Sequence, residues 1–375
     1  MEKNNIIKFN DLQPQWETIK ESVQPRIESL FSSSSFINGE EVSIFERNFA
    51  DFVGTKYAIG VSNGTDALKL CIEALNLKGS VGVFIPANTF IASLLGPEMA
   101  LPNASYTLID CDDYYQMDTN ILQDELEKNR KNWDHCIIIP VHLYGHSCDM
   151  GKIMQLSKKY NCWVVEDASQ AHGAKCQNGK NVGSIGHMAA FSLYPGKNLG
   201  AAGDAGIITT NQKSFYDSIK LLQNWGATKK YYYEKKGYNN RLDTFQAIIL
   251  DEKIKYLEEW NDNRKKIASW YEELITNKKI TKPKISPYCL NHVYHIYAIL
   301  LNEINREQAI EFFKKNNIEV GIHYPIPIEE TKIYQNVGWH NKKTRLFAKK
   351  ILSLPMHPFL KYEEVKKICD VVNSI

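Results

Sequence analysis

The sequence predicts an α/β protein with a large domain over residues 1–250, built on a mostly parallel central sheet flanked by helices, and a small C-terminal α/β domain over residues 251–375. Three observations carry this. From about residue 56, short β-branched runs alternate with helical stretches. The chain of 375 residues is too long for one small core and suits one large domain plus a smaller one. Beyond about residue 246 that alternation gives way to charge at helical spacing over some thirty residues. Hydrophobic residues at 43% and charged residues at 23% supply enough apolar material for a core and place the chain among globular proteins.

The tetra-serine from Ser32 to Ser35 reads as a short loop. "KYAIGVS" then leads into "TDALKLCIEALNL", "VGVFIPA" into "TFIASLLGPEMAL", and "CIIIPVH" into "DMGKIMQLSKKYN", with "CWVVEDAS" directly after. Strands joined by helices of this length form βαβ units, whose parallel sheets bind ligands at the carboxyl ends of the strands. Four polar, Gly- or Pro-punctuated segments, "VSNGT", "PANTF", "PVHLYGH" and "EDASQAHG", therefore open on one edge. "FQAIILDEKIKYLEEWNDNRKKIASWYEELI" reads as one long helix leading out of the large domain. A strand-like "HVYHIYAILL", a helix in "NREQAIEFFKKNN" and then "IEVGIHYPIPI" fit the small domain.

Composition removes several classes of partner. With 45 basic against 43 acidic residues and no long basic block, no concentrated positive face for nucleic acid is expected. The start, "MEKNNIIKFNDLQ", breaks its apolar residues with charges and amides and lacks the core of a secretory signal. No apolar run approaches the roughly 18 residues of a membrane helix. Eight scattered cysteines form no CxxC pair and no Cys/His cluster at zinc spacing, so a cytoplasmic protein with reduced thiols and no metal centre is expected.

Three segments carry chemistry. In "AIGVSNGTDAL" a strand ends in Ser62-Asn63-Gly64-Thr65 and runs into a helix, which places free N–H groups and a helix dipole where an anion can sit; a helix cap by Asn63 or Thr65 is the plainer reading. Neither GxxxxGK[ST] nor GxGxxG is present, so a P-loop or a Rossmann nucleotide site lacks its fingerprint. In "WVVEDASQAHGA", Asp167 follows an apolar strand and needs a partner cation or donor, unless it caps a helix; Gln170 and His172 follow it. In "FSLYPGKNLGAAGDAG", Lys197 stands among small residues as part of a phosphate cradle, as a reactive amine, or as a loop lysine in water. An exposed lysine has a pKa of about 10.4 and is a poor nucleophile, whereas an enclosed one attacks carbonyls. Taken together the three segments hold what pyridoxal 5′-phosphate (PLP) requires: a phosphate site, an acid for the pyridinium nitrogen and an amine for the aldehyde.

The ordered segments "FINGEEVSIFERNFADFVGTKYAIGVSNGTDAL", "IPANTFIAS", "PVHLYGHSCDM", "VVEDASQAHGA", "FSLYPGKNLGAAGDAGIITT", "GYNNRLDTFQAIIL", "HVYHIYAILL" and "VGIHYPIP" give the chain a further property. It resembles the DegT/DnrJ/EryC1/StrS family of PLP-dependent sugar aminotransferases, of the aspartate aminotransferase architecture (fold type I). The resemblance implies that Lys197 binds the cofactor covalently and that Asp167 pairs with the pyridinium nitrogen. It assigns the phosphate to Gly64, Thr65 and Ser192, with Asn239 reaching across a homodimer interface, the stacking ring to Phe90, and a place near the 3-hydroxyl to Gln170. Gly196, where many members have threonine, and Trp225 are departures that leave these positions intact. A dehydratase branch of the family carries histidine where this chain has Lys197, so the lysine favours transamination.

By the same resemblance L-glutamate is the amino donor, leaving 2-oxoglutarate, and a nucleotide-linked keto-deoxysugar is the acceptor. Contacts to that sugar fall to Tyr194, Lys230, Tyr231, His323 and Tyr324, the basic aromatic "KKYYYE" having a solvated turn as its alternative. A dTDP-linked 4-keto-6-deoxyglucose giving the viosamine-type product is the expected acceptor because that precursor is common, beside a 3-keto isomer or a GDP-linked perosamine-type substrate. Two rivals from other classes remain, a PLP-fold regulator without turnover and an enzyme using Lys197 as a cofactor-free imine former. The filled catalytic positions argue against the first, and the phosphate site and Asp167 against the second.

Overall fold

The computed structural model describes residues 6–375. Its elements begin with α1 (Gln13–Ser33), α2 (Glu40–Val53), β1 (Tyr57–Val61), α3 (Gly64–Ala74), β2 (Val81–Pro86), α4 (Ala92–Ala100), β3 (Ser105–Ile109), α5 (Thr119–Asn129), β4 (His135–Ile138), α6 (Met150–Tyr160) and β5 (Cys162–Asp167). There follow β6 (Lys175–Cys176), β7 (Met188–Ser192), β8 (Gly206–Thr210), α7 (Lys213–Leu222), the hairpin β9 (Ala227–Lys229) and β10 (Tyr232–Tyr233), and α8 (Thr244–Ile254). The remainder is α9 (Leu257–Leu274), β11 (Ile280–Thr281), β12 (Cys289–Asn291), β13 (Tyr297–Leu301), α10 (Arg306–Lys315), α11 (Lys342–Lys350), β14 (Ile351–Leu354) and α12 (Tyr362–Ser374).

Seven strands form the main sheet in the order β1-β8-β7-β5-β4-β2-β3. β7, β5, β4, β2 and β3 pair in parallel, and β8 runs antiparallel to both β7 and β1, so β8 alone is reversed. Its reversal has a local cause: no helix crosses between β7 and β8, and a strand reached by a loop at the same edge must return antiparallel. Every residue of β2 is buried, as expected of a strand covered on both faces. Val83 and Ile85 point to a layer with Leu68 of α3, Leu94 of α4 and Ile219 of α7, while Phe84 points to one with Phe49 of α2, Ile153 of α6 and Leu250 of α8.

A second sheet, β11-β13-β14, is antiparallel and packs on α9, α10 and α12 through Tyr271, Phe313 and Ile368. Ile7 bridges Ile318 and joins this core, although it lies at the other end of the chain. In the opposite sense, β12 pairs with β6, and Ile328 and Tyr334 pack on the main-sheet layer.

Two local expectations are corrected. Helix α1 continues into the tetra-serine and ends at Ser33; the hydroxyls of Ser32 and Ser33 donate back to the carbonyls of Glu28 (2.9 Å) and Leu30 (3.3 Å), which lets serine close the last turn. The long helix is two, broken at Lys255–Tyr256, because α8 packs on α1 and α2 while α9 turns its buried face, including Arg264 and Tyr271, to the second core. All eight cysteines are buried and unpaired. Among the described residues no helix is long and apolar enough to cross a membrane.

Candidate active site

The parallel strands deliver their carboxyl ends to one edge, where a cavity of about 850 Å³ opens. At the end of β1, Asn63 Oδ1 accepts from the Asp66 N–H at 2.8 Å and caps α3. Cap and anion site coexist, because that bond satisfies only one donor of the first turn and helix geometry leaves the Gly64 and Thr65 N–H groups free. The Asp66 carboxylate beside them is occupied by Ser62 Oγ (2.7 Å), Asn63 Nδ2 (2.8 Å) and Asn240 Nδ2 (2.6 Å). A Cβ on Gly64 would stand 2.7 Å from Ser192 Cβ, so glycine is what allows the end of β7 to bring the Ser192 hydroxyl against the start of α3.

Asp167 ends β5 and is only 4% exposed. No helix follows it, which removes the capping alternative. Its Oδ2 accepts from Ser93 Oγ at 2.6 Å and its Oδ1 from the Ser169 N–H at 3.1 Å, and Thr89 Oγ1 lies 2.8 Å from Ser93 Oγ. Gln170 accepts from the Tyr144 N–H (2.7 Å) and donates to the Tyr324 hydroxyl (3.1 Å). The Phe90 ring, 52% exposed, tilts over Tyr324 at 5.5 Å between centroids. His323 stacks on Phe9 at 5.5 Å, shares 2.9 Å with Ser353 Oγ, and is driven by burial to a pKa of about 4.

Lys197 faces this cavity from the β7–β8 loop. Burial lowers its amine from 10.5 to about 8, with the nearby Asp167 carboxylate opposing. A neutral amine is what attacks an aldehyde. Capture of PLP by the cofactor-free protein is therefore expected to slow about tenfold per pH unit below about 8 and to level above it, since the neutral fraction saturates there. Stopped-flow absorbance reads this directly; a rate still climbing between about pH 9 and 10 would mean that the amine titrates as an ordinary lysine.

The cavity gathers Gly64, Thr65, Phe90, Asp167, Gln170, Ser192, Tyr194, Lys197, His323 and Tyr324. Three expected site residues lie outside it. Lys230 and Tyr231 occupy the exposed turn of the β9–β10 hairpin, with the Lys230 amine 5.2 Å from the Tyr231 ring centroid, and Asn239 is exposed. Sequence reasoning missed Phe9 and Asn10, whose Nδ2 donates to Gly196 O at 3.2 Å, as well as Asp204 and His295. Ser93 and Thr89 stood in plain view in "PANTFIAS", four residues apart on the turn into α4. That spacing is a usable signal.

These residues fit PLP: an anion site narrowed by Gly64, an enclosed acid already held by two donors, and an amine depressed by burial share one cavity. A mostly parallel sheet carrying such a site defines a fold type I enzyme that uses this cofactor. The chain belongs to the DegT/DnrJ/EryC1/StrS aminotransferase family, whose model matches residues 17–373, and it is a PLP-dependent nucleotide-sugar aminotransferase. It is 39% identical, over 98% of its length and 99% of the relative's, to dTDP-3-amino-3,6-dideoxy-alpha-D-galactopyranose transaminase of Aneurinibacillus thermoaerophilus. It is 33% identical, over 99% and 98%, to UDP-N-acetyl-3-dehydro-alpha-D-glucosamine 3-aminotransferase of Acidithiobacillus ferrooxidans. Among solved structures, DesV of Streptomyces venezuelae superposes with a TM-score of 0.91 at 30% identity, covering 98% of each chain.

Proposed function

We propose that the enzyme transfers an amino group from L-glutamate to C3 of a nucleotide-linked 3-keto-6-deoxyhexose, dTDP being the nucleotide. The observation that carries the amine chemistry is the Lys197 amine, depressed by burial, in one cavity with Asp167 and the start of α3. C3 is favoured over the expected C4 because the two relatives described above are both named for 3-amination, whereas no residue stood behind the C4 preference.

When bound, the cofactor supplies an electron sink. In this reading, α3 and the hydroxyls of Thr65 and Ser192 hold the phosphate, and Phe90 covers the ring. Asp167, oriented by Ser93 and Ser169, keeps the ring nitrogen protonated. Lys197 takes the proton from the α-carbon of the donor and later delivers one to the sugar carbon. Tyr194, His323 and Tyr324 face the sugar from the cavity wall. Lys230, Tyr231 and Asn239, exposed in one chain, are assigned to the cavity of a second copy in a homodimer.

The purified enzyme is expected to show a visible cofactor band that shifts when glutamate is added. Offered dTDP-, UDP- and GDP-linked 3-keto and 4-keto sugars, it is expected to aminate a dTDP-3-keto-6-deoxyhexose fastest, as read by mass spectrometry and NMR of the product. Preference for a 4-keto sugar would overturn the C3 assignment and leave the amine chemistry standing.

A further inference from the structure

His295 precedes β13 in a stretch pinned to the turn after β4, where the Val293 N–H donates to Gly145 O at 2.9 Å and the Ile296 N–H to Tyr144 O at 3.4 Å. Gly145 sits at φ +92, and a Cβ there would meet the His295 backbone nitrogen at 2.9 Å, so the approach depends on glycine. The pinning carries a residue from the second half of the chain into the wall that Lys197 also lines.

Hydrogen bonds alone establish which ring nitrogen carries the proton. The His172 carbonyl can only accept, so Asn261 presents its Nδ2 to it at 2.8 Å. Asn261 Oδ1 is then the acceptor for Asn198 Nδ2 at 2.8 Å, and the other Nδ2 proton of Asn198 goes to Val293 O at 3.0 Å. Asn198 Oδ1 therefore faces His295 Nδ1 at 3.0 Å as an acceptor, and Nδ1 is the protonated nitrogen. Burial, reinforced by the neighbouring Lys197 and Arg264 charges, keeps the imidazole neutral. Its Nε2 is left with a lone pair, and among the described residues neither that atom nor the Lys197 amine has a hydrogen-bond partner.

We propose that His295 is a positioning residue for Lys197: its Nε2 accepts a hydrogen bond from the Lys197 amine while that amine holds the proton it takes from the donor's α-carbon in one half-reaction or gives to the sugar carbon in the other. An ammonium in a partly dry cavity needs an acceptor. Asp167 already receives Ser93 and Ser169 and faces the cofactor, whereas a neutral imidazole supports the ammonium without removing its proton. Asn198, next to Lys197 in the chain, ties the two residues' positions together. The inference rests on Lys197 acting as the general base.

Two substitutions separate the ring nitrogens. His295→Asn keeps a donor for Asn198 and loses the Nε2 acceptor; His295→Gln places an amide where Nε2 stood. In His295→Asn both half-reactions, with glutamate and with the keto sugar, are expected to slow by the same factor of about 10 to 100, with PLP affinity unchanged, and His295→Gln to recover most of the rate. Independently of turnover, 15N-histidine NMR of the full-length protein is expected to show that the ring signals missing from His295→Asn belong to a neutral imidazole protonated on Nδ1. Slowing confined to the sugar half-reaction, equal losses in both variants, or a proton on Nε2 would each overturn the proposal. Full turnover in Lys197→Ala would instead refute the general-base reading, so the two failures are distinguishable.

Discussion

Lys197→Ala is expected to lower steady-state turnover by at least about 10⁴-fold, because in the proposed function one substitution removes both the amine that binds the cofactor and the base that moves the proton. The cavity walls do not depend on this side chain. Asp167 keeps Ser93 and Ser169, and Asn198 keeps Asn261 and Val293. The variant should therefore fold, bind the aminated cofactor without a covalent link, and capture the keto sugar on it without completing the reaction. Absorbance and mass spectrometry of the isolated complex check this, and activity near that of the unsubstituted enzyme would refute the assignment. The same variant tests the proposed sharing of the site between two subunits. Mixed with Asn239→Ala subunits under conditions that allow exchange, it is expected to regain part of the activity, since a mixed dimer holds one cavity with both residues intact. No recovery, with exchange confirmed by mass, would place Asn239 outside the catalytic unit.

Asp167→Asn is expected to slow the glutamate half-reaction by about 10² to 10³. The substitution preserves volume but removes the charge that, in the proposed function, keeps the pyridinium nitrogen protonated. It also disturbs the local donors: Ser93 Oγ and the Ser169 N–H both give protons to the carboxylate, and a carboxamide has only one oxygen with which to accept them. One of these donors, or the ring nitrogen, then meets an N–H. Single-turnover absorbance with glutamate measures the loss, and cofactor release under dilution measures the weaker hold. A change under about threefold would show that the ring nitrogen does not depend on this acid.

Much of the main sheet and its flanking helices was legible because its physics is local. Apolar runs such as "VGVFIP" and the periodic "TDALKLCIEALNL" state strand and helix within a dozen residues, and parallel pairing carries all the strand ends to one edge. The reversal of β8 was not legible, because it follows from the β7–β8 connection having no helix and not from the strand's own residues. Nor was the break between α8 and α9, where helical spacing continues and only the positions of two separate cores decide the bend. The same contrast holds in the site. Lys197, Asp167, Gly64 and Thr65 announce themselves by the chemistry of short segments. His295 lies in a strand-like run and Phe9 between Lys8 and Asn10 with no chemical motif around it, and both reach the cavity through long-range contacts, Ile296 with Tyr144 and Phe9 with Met356.

The absent crossover after β7 bears on how the Lys197 amine is held. Both ends of the Lys197 loop belong to one ladder: Ser192 pairs with Gly206, and the Leu193 N–H donates to Ala205 O at 2.8 Å. Between them the Lys197 N–H returns to Tyr194 O (2.8 Å), the Ala201 N–H to Leu193 O (2.8 Å), and the buried Lys253 amine grips Gly200 O at 2.7 Å. The segment is a closed ring of bonds whose conformational entropy is surrendered when the protein folds, before any ligand arrives. Substrate binding then has no loop left to freeze, and mobility of the Lys197 backbone is coupled to separation of β7 from β8, two interior strands next to the β1 edge of the sheet.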